Sequence, residues 1–286
     1  MESLIELVAV YTILGLGFTL FFGVAKTANF AWCDTVVLAC VLLSVSSTWC
    51  SAAYLSFAVS ILVTTFFIVV LNVSIFVVCF RPFPNALSLW PALASLATGL
   101  VIREGIALVF PFGTQQIGTP RFLRGILGHW FSPSLLLLAI FAVLCCDFAY
   151  KRSRFGLQVR AVSDDPEAAE VLGISSVRTF LAFFAMTGLV TVFAAFLLEA
   201  KLGFIKYNLG PVFTVQGFVA ACLGGLRRPG HVLFGGLVMA SMEWVLGRYV
   251  RGGATFLYVG LFICLAFWYA TTRLLPSFLR SKWARL

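Results

Sequence analysis

The sequence predicts an all-α polytopic membrane protein of eight or nine transmembrane helices, on three observations. Of its 286 residues, 61% are hydrophobic and 15% aromatic, while only 11% are charged, against about 25% in a soluble domain. Apolar runs long enough to cross a bilayer, about 20 residues each, recur from one end to the other. Polar residues instead gather in one central stretch, 151–178, which holds nine charges in twenty-eight residues.

Taken in order, the expected helices are 4–25, 33–50, 54–80, 86–110, 133–150, 179–198, 212–226, 231–249 and 254–273. The first has no basic residue before it and no small-residue cleavage site after it, so it reads as a span and not as a signal peptide. The third is long enough to tilt or kink. The seventh reaches only about 22 Å at 1.5 Å per residue and is expected to be broken or re-entrant. All belong to a single transmembrane domain, 1–286, with 151–178 as its cytoplasmic loop.

Basic residues orient the spans, because they collect on the cytoplasmic side. With 151–178 in the cytoplasm, that side holds Lys26, Arg81, the loop's five basic residues, Arg227, Arg228, Arg273, Arg280, Lys282 and Arg285. The other side holds Arg121, Arg124, Lys201, Lys206, Arg248 and Arg251. Nine spans with the N-terminus outside and the C-terminus in the cytoplasm of a cell (inner) membrane fit this bias. The net charge of +9 is then a topology signal whose partner is anionic lipid. Nucleic acid is not expected, since no basic, aromatic-bearing soluble face exists.

Other chemistries find little support. Cys40, Cys79, Cys145, Cys146, Cys222 and Cys264 fall within apolar runs and read as small packing residues. Neither His129 nor His231 has a metal-ligand partner at suitable spacing, so neither metal nor cofactor is expected. No Gly-x-x-x-x-Gly-Lys-Ser/Thr phosphate loop is present, and no paired intramembrane carboxylates or Ser/His/Asp set suggests an enzyme.

The central loop contains a designed-looking short helix. Asp165 can cap it, Pro166 suits its first turn, and Gly173 supplies a left-handed terminator. Asp164, Asp165 and Glu167 stand at the positive end of its dipole, flanked by Arg160 and Arg178. A helix this short is marginal alone, so it is built either to dock on something or to connect two spans.

Three blocks carry a resemblance. FGLQVRAVSDDPEAAEVLGISSVR resembles the cytoplasmic coupling loop of permeases in branched-chain amino acid ABC importers. YTILGLGFTLFFGVAKTANFA resembles that family's opening helix, and VQGFVAACLGGLRRPGHVLFGGLVMASMEWVLG its glycine-rich C-terminal pattern. Order and spacing match along most of the chain. Two departures bear on cargo: Trp32-Cys33 stands where many relatives read His-Gly, and Leu226-Arg227-Arg228 follows the double glycine.

The resemblance implies a permease subunit driven by separate cytoplasmic ABC ATPase subunits, paired with a second permease and served by an extracytoplasmic substrate-binding protein. It implies that the loop engages the ATPase through Arg160, Asp164, Asp165, Glu167, Ala168, Ala169, Glu170, Val171, Leu172 and Gly173. Ala168, Ala169, Val171 and Leu172 would pack, with Glu167 and Glu170 at the rim. Branched-chain amino acids are the implied cargo, with urea, short amides and sugars as related possibilities.

Within the bilayer, Arg103 and Glu104 are costly and face a bundle interior or a water-filled path by default. As sequence neighbours they point about 100° apart on a helix and are not expected to pair with each other. They line a pathway for a zwitterion or clamp helices, Arg103 reaching Glu243 or Asn72. Asn29 and Phe30 serve the pathway or a helix terminus, and Glu243 the pathway or an interface. Gly224 and Gly225 pack helices closely or break a segment so that backbone groups face the path. An ion-gradient carrier with Arg103 and Glu104 in a proton relay is the competing class, and the capped loop discriminates against it.

Overall fold

The computed structural model describes residues 4–46, 53–82, 90–109, 115–116, 130–226 and 229–249. The chain begins with α1 (Leu4–Ala25) and turns through Lys26, whose φ is 55°. It returns as the short apolar α2 (Trp32–Ser46). Helix α3 (Ala53–Ile75) runs into a π-turn at Phe76–Phe80, where Arg81 N–H donates to the Phe76 carbonyl. Then come α4 (Trp90–Val109), α5 (Phe131–Arg152), α6 (Arg154–Asp164), α7 (Pro166–Val171) and α8 (Ser176–Leu202). Two 3-10 turns, Tyr207–Leu209 and Pro229–His231, lead into α9 (Gly210–Gly224) and α10 (Val232–Tyr249). A small ribbon pairs β1 (Gln115–Gln116) antiparallel with β2 (Phe204–Ile205), Gln115 opposite Ile205.

Among the described residues five stretches are long and apolar enough to cross a membrane: α1, Ala58–Phe80, α4, α5 and α8. The α9–α10 pair passes the same test only as one unit bent by 107°. The short seventh segment is therefore one arm of a broken span or re-entrant loop. Gly225, with φ +92°, and Leu226, with φ 55°, make the turn at its end. The expected helix 254–273, with Arg227 and Arg228, lies outside the described residues.

Helix α1 is apolar on all faces, and a helix of that kind belongs in the middle of a bundle. Every residue from Leu7 to Phe21 is buried. Close approach of its neighbours depends on absent side chains. A side-chain carbon at Gly17 would overlap the Trp32 ring, and one at Gly236 would overlap Thr12. At Gly15 it would stand 3.0 Å from Val232 of α10 and 3.3 Å from Ala220 of α9. Glycines thus seat α9 and α10 on one side of α1, as small residues do where lipid supplies no hydrophobic drive between helices. On the other side an aromatic cluster joins Phe21 of α1 to Phe183 and Phe184 of α8, with ring centroids 5.9 and 5.3 Å apart. Phe76 and Phe80 of the π-turn complete it, 5.2 and 5.0 Å from Phe184.

The two ends of the bundle differ. At one, Lys26 pairs with Asp164 at 3.3 Å and Ser163 Oγ donates to the Gly23 carbonyl. At the other, Ser132 Oγ donates to Glu6 at 2.6 Å. Outward faces of α3 and α4 carry exposed Leu62, Phe66, Leu93 and Val101.

Gly17→Val is expected to displace Trp32 and destabilise the bundle by about 1–3 kcal/mol, the usual cost of overpacking. Gly105, with nothing within 4 Å of an added side-chain carbon, is the control. Thermal unfolding of the purified variants in detergent should show a lowered midpoint for Gly17→Val and none for Gly105→Ala.

Candidate functional site

The loop folds into two helices. The longer one, α6, is amphipathic and was not anticipated; it buries Gly156, Val159, Val162 and Ser163. Ser153 caps it by accepting from Gly156 N–H at 2.9 Å. Arg160, one of the residues implied to engage a partner, instead donates to the Lys151 carbonyl at 3.1 Å and lies over the Tyr150 ring. It ties α6 to the end of α5.

The short helix α7 has the expected terminal chemistry. Asp165 accepts from Ala168 N–H at 3.0 Å, and Pro166 opens the first turn. Gly173, at φ +81°, closes the other end. Its N–H donates to the Glu170 carbonyl, and Ile174 N–H donates to the Ala169 carbonyl, a Schellman pair. Asp164 is held by Lys26.

One expectation is corrected. Ala169 is only 2% exposed, because α7 lies against α6 and α8 and turns that face into its own chain. The apolar residues it offers outward are Val171, 88% exposed, and Leu172, 77% exposed. Ala168, Glu167 and Glu170 are exposed beside them. Below α7, between it and the ends of α1, α3 and α4, lies a cleft of about 580 Å³ bordered by Lys26, Arg81, Asp164, Glu167, Glu170 and Phe180. It carries both signs of charge.

The second polar region lies along α4 and the turn before α2. Arg103 and Glu104 do pair, with Nε and Oε1 3.7 Å apart, contrary to expectation. A 100° separation at the helix surface is bridged because the long guanidinium side chain can swing round to its neighbour. Glu104 remains 69% exposed on α4 and Arg103 21%. Asn72 Nδ2 donates to the Ile68 carbonyl one turn back.

Asn29 is fully buried and accepts from Ala31 N–H at 3.1 Å, shaping the turn before α2. Phe30 N–H donates to Ser95 Oγ of α4 at 3.0 Å, and its ring meets Phe218 of α9. These residues join α2, α4 and α9 at one place. Gly224 packs against His231 and Val232, while Gly225 ends α9. Glu243 lies on α10, partly buried.

Two buried carboxylates escaped the sequence reading. Asp34, in the first turn of α2, is 7% exposed, and Glu199 of α8 is 2% exposed. The rule that singled out Arg103, a charge within an apolar run, would have found Asp34, whereas Glu199 falls one residue past the expected helix 179–198. Among the described residues no group of three or more His, Cys, Asp or Glu could hold a metal ion.

Residues 1–271 match the family described as the branched-chain amino acid transport system / permease component. The chain is 22% identical over 267 residues to the high-affinity branched-chain amino acid transport system permease protein LivH of Escherichia coli (strain K12), covering 86% of this chain and 84% of that one. It is 30% identical over 153 residues to the xylose transport system permease protein XylH of the same organism, 51% of this chain and 37% of the relative. The fructose import permease protein FrcC of Rhizobium meliloti is 28% identical over 140 residues, 45% and 38% of the two chains. No solved structure matches.

Loss of either terminal device should loosen α7 without unfolding the bundle. Asp165→Ala is expected to cost about 1 kcal/mol of local stability. Gly173→Val should cost more, since a left-handed residue with a side chain is disfavoured by roughly 1–2 kcal/mol and β-branching adds to that. Amide hydrogen exchange should accelerate across 166–174 in both variants and stay unchanged in α1.

Proposed function

The chain belongs to the branched-chain amino acid transport system permease family, and we propose that it forms half of the translocation pathway of an ATP-driven importer for branched-chain or related amino acids. It is a multi-pass membrane protein. In this reading it is a single transmembrane domain of eight or nine spans in the inner membrane, with its N-terminus outside and C-terminus in the cytoplasm. Cytoplasmic ABC ATPase subunits drive it, a second permease of the same kind completes the path, and a binding protein delivers cargo.

The observation that carries this reading is the outward apolar tip of α7. Val171 and Leu172 are 88% and 77% exposed on a polar loop that has no membrane to meet, and a capped helix holds them there. Such a tip fits a cleft in another subunit. Glu167 and Glu170 then form a charged rim, whose contacts contribute about 0–1 kcal/mol each. Glu104 supports the pathway assignment, because a carboxylate this exposed on a span is costly against lipid and is accommodated by a polar path.

The amino-acid reading is favoured over sugars because the amino acid relative aligns along most of the chain, whereas the xylose and fructose relatives align along about half. A gradient-driven carrier would use the Arg103–Glu104 pair as a relay, but it would leave the tip of α7 without purpose.

Val171→Glu combined with Leu172→Glu tests the reading. An unpaired charge forced into a buried contact costs about 3–5 kcal/mol, so the double variant should insert and fold but lose co-purifying ATPase and ATP-dependent uptake. Retention of both at wild-type levels would make the loop a mere connector. A second test addresses the path: with native cysteines replaced, Glu104→Cys should react with a small hydrophilic thiol reagent in the assembled transporter. Complete protection in every nucleotide state would place that face of α4 elsewhere.

A further inference from the structure

We propose that Asp34 and Arg103 form the cargo-recognition pair, with the Asp34 carboxylate taking the α-ammonium of an amino acid and Arg103 taking its carboxylate. This rests on the import function proposed above and names the chemistry that selects its cargo.

Asp34 lies where α2, α4 and α9 meet. It is 7% exposed, and its Oδ1 is buried with no hydrogen-bond partner among the described residues. Among the described residues no side chain donates to it. A side-chain carbon at Gly99 of α4 would stand 2.6 Å from Oδ2, and one at Gly210 of α9 would overlap Oδ1. Bare backbone therefore presses against both carboxylate oxygens. Pro211, next in α9, has no N–H to give. Buried polar atoms are nearly always paired, so a carboxylate oxygen left this way calls for a donor. A primary ammonium, with three N–H donors and no acceptor, supplies what the site lacks.

Arg103 adds the opposite charge. It stands one turn beyond Gly99 on α4, about 6 Å along the axis, on the same helix face as the glycine that meets Asp34. Its contact with Glu104 is an ion pair at 3.7 Å through Nε, too long for a hydrogen bond. A planar guanidinium suits a carboxylate through two parallel hydrogen bonds. An α-amino acid carries both charges on one carbon, and a sugar carries neither. Because Gly99 and Gly210 close over Asp34, cargo reaches it only when α4 or α9 moves aside.

The complete transporter, with ATPase subunits, second permease and binding protein, should be reconstituted in liposomes and assayed for ATP-driven uptake of radiolabelled leucine and xylose. Asp34→Asn is expected to assemble normally and lower leucine uptake at least tenfold, and Arg103→Gln should do the same. If Asp34→Asn fails to assemble, Arg103→Gln decides alone. Leucine uptake within twofold of wild type in the assembled variants overturns the Asp34–Arg103 assignment and leaves the import function standing. A wild-type transporter that carries xylose and not leucine overturns the amino-acid reading and the assignment together.

Discussion

Everything in this fold is arranged around a helix with no polar face. Residues Leu7 to Phe21 of α1 are buried on every side, and the surrounding helices reach them only because glycine stands at the points of closest approach. Gly15 and Gly17 belong to α1, Gly217 to α9 and Gly236 to α10, while Gly235 lets α10 close on α9. In a bilayer, contact of this kind comes from van der Waals packing at short range. Both arms of the 107° bend between α9 and α10 lie against this one helix. Trp32 fills the remaining notch at Gly17 and thereby sets where α2 begins.

That pillar connects the two polar regions. At one end of α1, Ser163 and Asp164 of the loop hold Gly23 and Lys26. Further along, Trp32 against Gly17 places Asn29, Phe30 and Asp34 between α4 and α9. Helix α1 thus touches both the polar loop, at Gly23 and Lys26, and the junction around Asp34, at Gly17 and Phe18.

How much of this was legible depends on whether a feature is local. Individual apolar helices were readable because each carries its own signal, and the described boundaries of α1, α5 and α10 fall close to those expected. The ends of α7 were equally readable, since Asp165, Pro166 and Gly173 act on their own backbone. Facing was not legible. Ala169 looks like any small residue on a short helix until α6, which the apolar pattern hid, covers it. The Arg103–Glu104 pair depends on side-chain reach, which helical angles alone do not capture. Asp34 was legible as a charge within an apolar run, but the closure of Gly99 and Gly210 over it was not, since those glycines lie far away in sequence.

The account stands on one claim above all: this chain moves cargo only when ATP hydrolysis in a partner drives it. The direct measurement is uptake of leucine into liposomes by the chain alone, under an imposed proton or sodium gradient, beside uptake by the full assembly with ATP. The account predicts no uptake by the lone chain under either gradient and uptake by the assembly that stops when ATP is withheld. Gradient-driven uptake by the lone chain at a rate matching the assembly would contradict it.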